Sequence, residues 1–146
     1  MEITGYSLSE RLGYARFLVS ACFFTLQEVV RGGKGSEVRA FLTGEEEEDI
    51  QDPVLAEAKR GARLVKRIAR EASLPVLDEV TMMDAYLWLR GRGLVKVDYN
   101  PEMWIQVDIS KFIIYRVLSS FLGISEEEVE ERIKSAVFKI LKAKTS

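Results

Sequence analysis

The chain has 146 residues, 47% of them apolar and 30% charged, with 21 Lys and Arg against 23 Asp and Glu and a net charge of −2. That length suits a single domain whose core is large enough to fold without disulfides or metal, and the one cysteine, Cys22, excludes an internal disulfide framework. Histidine is absent, which removes the commonest general base and the commonest metal ligand.

The N-terminus, Met1-Glu2-Ile3-Thr4-Gly5-Tyr6, has no basic region followed by an apolar one, so no secretory leader is expected. The longest uncharged stretch, residues 17–27, falls far short of the roughly 20 apolar residues that cross a bilayer. A cytoplasmic location is the expectation. Asn occurs once and Gln three times among many charged residues, a balance found in thermophile proteins.

The first helix should start at Ser7, where Ser7-Leu8-Ser9-Glu10 fits a capping box, and run to about Val30. Arg16, Ser20, Gln27 and Arg31 share one narrow strip, and most of the remaining circumference is apolar. Such a helix is either the central helix of the domain or part of a homo-oligomer interface. Arg31-Gly32-Gly33-Lys34-Gly35 reads as a helix C-cap and hinge, since a phosphate loop would follow a strand. A short helical segment, residues 36–42, comes next, and then the acidic block Glu45-Glu46-Glu47-Glu48-Asp49, which reads as a solvated loop or as a partner for basic residues nearby.

Asp52-Pro53 is an N-cap followed by proline at the first helical position and opens a helix over residues 53–72. Another helix is predicted over residues 75–92. Val95, Val97 and Tyr99 then alternate with polar residues, as do Met103, Ile105, Val107 and Ile109, with Asn100-Pro101-Glu102 as the turn between them. This is a β-hairpin with one apolar face. A strongly apolar helix follows over residues 111–122 and stops at Gly123; Ser125 and Glu128 cap the last one, which has glutamates first and lysines last. The expected fold is mainly α: about five helices and one hairpin in a single domain over residues 1–146.

Residues 53–109, a helix, a second helix and a hairpin, resemble winged-helix domains in the order of their elements, without pointing to a particular family. Such a domain reads DNA with the N-terminal part of its second helix. Here that part would hold Asp78, Glu79 and Asp84, and the wing tip holds Glu102, so the resemblance implies a protein-interaction platform rather than a sequence reader.

The most specific signal lies in the helix at residues 53–72. Lys59, Arg60, Arg63, Lys66, Arg67 and Arg70 have no acidic residue among them, and all but Arg60 fall within a quarter to a third of the circumference. Cations in such a ladder suit phosphates, because each neutralised phosphate releases counterions, and arginine's fork grips phosphate with two bonds. Arg90, Arg92 and Lys96 form a smaller cluster that would extend the patch. Tyr86, Trp88 and Trp104 are aromatics that either stack bases or fill core and interface, with Trp104 the more exposed candidate.

Catalysis finds little support. Without histidine there is no Ser/His/Asp or Cys/His set, Cys22 lies in an apolar helix and reads as core, and no zinc spacing, phosphate loop or dinucleotide fingerprint is present. A carboxylate–metal hydrolase is the weakest alternative. No cofactor is expected. The sequence therefore favours a noncatalytic accessory subunit of a nucleic-acid-handling complex, contacting phosphate without reading sequence, together with protein subunits. The alternative is a protein-interaction or dimerisation module that touches no nucleic acid.

Overall fold

The computed structural model describes residues 5–43, 52–99 and 102–145, with side chains described through Lys142. The fold is mainly helical with one two-stranded antiparallel hairpin, as expected.

Helix α1 (Leu8–Val29) starts with the capping box: Ser7 Oγ accepts from the Glu10 N–H at 3.1 Å, and Glu10 Oε1 accepts from the Ser7 N–H at 3.0 Å. Its apolar circumference is consumed inside the chain, for α1 packs against the helices numbered below as α3, α4, α5 and α6 and against strand β2. The central position is thus realised, and Leu8 is the one large apolar side chain of α1 that stays exposed. The polar strip is mostly internal. Ser20 and Gln27 are buried; Ser20 Oγ donates back to the Arg16 carbonyl at 2.7 Å, while Gln27 reaches across to the hairpin.

The glycine-rich segment ends the first helical run, as a cap and hinge should. The winding breaks at a kink within Val30–Lys34, where Gly33 is left-handed at φ +100°, and α2 (Gly35–Thr43) starts beyond it. Glycine takes that conformation without the clash a Cβ would bring, so the kink falls there. The acidic block 45–49 lies outside the described residues.

Helix α3 (Pro53–Glu71) is capped by Asp52, whose Oδ1 accepts from the Val54 and Leu55 N–H groups at 2.9 and 3.4 Å. It ends in a Schellman motif: Leu74 N–H donates to the Ala69 carbonyl at 2.9 Å and Ser73 N–H to that of Arg70 at 3.1 Å. The left-handed position is held by Ser73, at φ 57°.

Helix α4 (Glu79–Gly91) begins four residues later than predicted. Residues 74–78 form a non-helical connector, and Asp78 is the N-cap, accepting from the Thr81 N–H at 3.0 Å. The Tyr14 hydroxyl donates to the Pro75 carbonyl at 2.8 Å, which straps the connector to α1. The hairpin pairs β1 (Val95–Asp98) with β2 (Trp104–Val107) in the register Val95↔Val107 and Val97↔Ile105. Its apolar face packs on α1, where Val95, Met103, Ile105 and Val107 are buried. Helix α5 (Lys111–Leu122) stops at Gly123, left-handed at φ 69°. Helix α6 (Glu126–Thr145) starts at Ser125, whose Oγ accepts from the Glu128 N–H at 3.1 Å. Glu130 of α6 takes both Lys111 of α5, at 2.6 Å, and Lys134, at 3.0 Å. One connected cluster of buried side chains draws on α1 to α6 and both strands. No helix among the described residues is long and apolar enough to cross a membrane.

Candidate nucleic-acid interface

Helix α3 is amphipathic in the way its spacing requires. Ala58, Gly61, Ala62, Leu64, Val65, Ile68 and Ala69 form its buried stripe. Lys59, Arg63, Lys66 and Arg70 follow one another at intervals of four, three and four residues, so they line one column on the opposite side. At 1.5 Å per residue the column is about 16 Å long. Arg67 and Arg70 are exposed, and Lys59 and Lys66 half-buried.

The neighbouring elements hold several of these cations in place. Arg63 Nε pairs with Glu79 Oε1 of α4 at 3.1 Å, each side chain about a third exposed. Asp78, at the start of α4, also lies on the Lys66 side of the column. Its carboxyl is held below the usual value, chiefly by hydrogen bonds from Thr81, with Lys66 a smaller contributor. The Arg67 guanidinium stands 4.7 Å from the Phe41 ring of α2, and Arg60 stands 5.7 Å from the Tyr99 ring beyond β1. The column is therefore held by its neighbours: Glu79 of α4 meets Arg63, and aromatic rings stand near Arg60 and Arg67.

The smaller basic cluster does not extend this patch as a unit. Arg90 turns toward α3, where its Nε pairs with Glu57 Oε2 at 3.0 Å, and the Tyr86 hydroxyl donates to the same oxygen. Arg92 turns the other way, toward α1, and stacks on Trp88. Two residues apart on a helix are separated by about 200°, which sends them to opposite flanks of α4. Lys96 is exposed on β1. The structure thus keeps the α3 cations together, brings Arg90 to their helix through Glu57, and moves Arg92 elsewhere.

The side of α4 facing solvent carries Val80, 74% exposed, and exposed Asp84, with Met83 and Leu87 half-buried beside them. It presents no cation before Arg90. Of the three aromatics singled out in the sequence, Tyr86 is core, and burial together with Glu57 pushes its hydroxyl pKa up. Trp88 is half-buried under two arginines, and Trp104 is 47% exposed on the outer face of the hairpin. The pairing of Arg16 with Trp88 escaped the sequence reading, because it joins α1 to α4 across 71 intervening positions and has no local signature.

Cys22 is fully buried and burial raises its thiol pKa, so it has the character of a core side chain. Among the described residues no cluster of three or more Asp, Glu or Cys side chains is placed to hold a metal ion. What the surface offers chemically is a set of positioned cations on a rigid helix. No protein-family model matches the chain, and neither does any curated protein or solved structure.

Proposed function

We propose that this chain is a binding subunit of a nucleic-acid-handling assembly, which contacts phosphates non-specifically through the outward face of α3 and does no chemistry itself. The observation that carries this reading is the placement of Lys59, Arg63, Lys66, Arg67 and Arg70 on the side of α3 opposite its buried stripe. A rigid column of this kind neutralises several phosphates at once, and its affinity falls steeply with salt. The carboxylates of Asp78 and Glu79 at its border, and the absence of a cation on the outer side of α4 before Arg90, speak against reading of base edges. A cytoplasmic site of action accompanies the reading.

Fluorescence anisotropy with labelled single- and double-stranded DNA and RNA, over a salt series, tests it. The informative variant is Lys66→Glu, Arg67→Glu, Arg70→Glu, which leaves the Arg63–Glu79 pair intact. Wild type should bind with a logarithmic salt slope of about −3 on duplex DNA, as about three to four phosphate contacts require, and the variant should bind at least tenfold more weakly. Absence of binding to all four ligands at low salt refutes the reading.

A second reading has its own observation. Val80, with Asp84, Met83 and Leu87 beside it, gives α4 a mixed apolar and acidic outer strip, which suits a protein partner. This is the winged-helix-like interaction module without nucleic acid. Val80→Lys would then abolish assembly, and the wild type would show no salt-dependent binding to nucleic acid.

A further inference from the structure

Trp88 holds two arginines. The guanidinium carbon of Arg16, from α1, stands 4.1 Å from the centre of its ring, and that of Arg92, at the end of α4, stands 3.9 Å away. Both guanidinium carbons lie close to one ring centre, so they are within about 8 Å of each other.

A close pair of like charges calls for a counter-ion. Elsewhere on the molecule Arg63, Arg90, Lys111, Arg132, Lys134 and Lys139 each meet a carboxylate. Among the described residues no carboxylate pairs with Arg16 or Arg92. Arg16 Nε is buried without an acceptor, and Arg92 gives one N–H, weakly, to the Trp88 carbonyl at 3.4 Å. Stacking engages only the flat faces of a guanidinium and leaves its in-plane fork of donors for another group. Because the indole fixes both side chains beforehand, little of their rotamer freedom remains to be lost when an anion arrives.

We propose that Arg16 and Arg92, clamped on Trp88, form a phosphate-binding site separate from the α3 face. The ligand chemistry is a phosphate group recognised by guanidinium forks, carried either by a free phosphoanion or by a nucleic-acid backbone. The site does not depend on the α3 reading: Arg92 lies on the α1 flank of α4, and the α3 column on the other.

The chain has two tryptophans, so Trp104→Phe leaves Trp88 as the sole reporter. In that background, Trp88 emission is titrated with inorganic phosphate, pyrophosphate and a ten-residue oligothymidylate, with sodium chloride at matched ionic strength as the control. A saturable change is expected that chloride does not reproduce. Its apparent Kd should rise at least tenfold in Arg92→Gln and stay unchanged in Arg116→Gln, which removes an exposed arginine on α5. If Arg92→Gln loses the native far-UV spectrum, Arg92→Lys replaces it, with at least a threefold loss expected because an ammonium presents no fork. Saturation by phosphate or pyrophosphate establishes the site for free phosphoanions; saturation by the oligonucleotide alone establishes it for backbone phosphate. No saturable response to any of the three, or undiminished affinity in the folded Arg92 variant, overturns the proposal.

Discussion

Gln27 is a buried amide with one identifiable task. Its Oε1 accepts from the Val107 N–H at 2.7 Å, and its side chain is 4% exposed. Val107 faces Val95 in the hairpin, and the Asp108 N–H next to it donates to the Leu94 carbonyl at 2.8 Å. The Val107 N–H therefore points away from β1, toward the open edge of the sheet. Gln27 is what satisfies it. Gln27→Met keeps an unbranched side chain of similar length and helix propensity but supplies no comparable acceptor. The buried N–H is then left unpaired, which costs about 1–3 kcal/mol, a fall in Tm of roughly 3–10 °C for a chain of this size. Urea unfolding followed by far-UV circular dichroism should show a lower midpoint with an unchanged m-value. Native-state hydrogen exchange should show the Val107 amide losing protection while amides of the α6 core keep theirs. A stability within about 0.5 kcal/mol of wild type, with Val107 protection unchanged, would refute this account of how the hairpin is tied to α1.

Three further outcomes follow from local geometry. Ser73 and Gly93 occupy the same left-handed position in two Schellman motifs, at φ 57° and 70°; Ser73→Gly should therefore stabilise the chain by about 0.5–1 kcal/mol in urea melts, and a loss of stability would contradict the strain argument. A Cβ on Gly61 would stand 3.1 Å from Tyr86 Cδ1 and 3.4 Å from Phe23 Cζ. Tyr86 is buried and anchored at its hydroxyl by Glu57, so it cannot retreat. Gly61→Ala should then cost about 1 kcal/mol net despite alanine's better helix propensity, and a thermal melt showing equal or greater stability would oppose this. Asp78→Ala should cost about 1 kcal/mol at pH 7 as a lost N-cap. The folded Asp78 pKa is depressed, so the contribution is present above the unfolded value of about 3.9 and vanishes as pH falls through the folded one. The gap between variant and wild type should accordingly narrow at pH 2–3, and a gap independent of pH would count against the assignment.

How much of this was legible in the sequence depends on the range of the forces involved. The Ser7–Glu10 capping box, the Asp52-Pro53 start and the alternation of residues 95–98 and 104–107 are local patterns, and each appears where the pattern puts it. The start of α4 misled because Pro75 satisfies the local rule for a first helical residue. A hydroxyl 61 positions away, on Tyr14, holds that proline's carbonyl, and the Asp78–Thr81 cap three residues later takes over. The glycine run, by contrast, acts as its local rule says: the left-handed residue Gly33 breaks the winding between α1 and α2. At the candidate interface, helical periodicity was enough to place the α3 cations on one side. It could not show that Glu79 would meet Arg63, or that Arg92 would leave its neighbour Arg90 for Trp88 and Arg16, since those partners are fixed only when α1, α3 and α4 pack.

The central claim is that nucleic acid lies along the outward face of α3. Backbone amide chemical-shift mapping with a short duplex and a single strand tests it most directly, residue by residue. The account predicts shifts that grow with ligand along Lys59, Arg63, Lys66, Arg67 and Arg70 and fade as salt is raised. A contiguous set of shifts on the outer strip of α4 around Val80, with α3 silent, would contradict it.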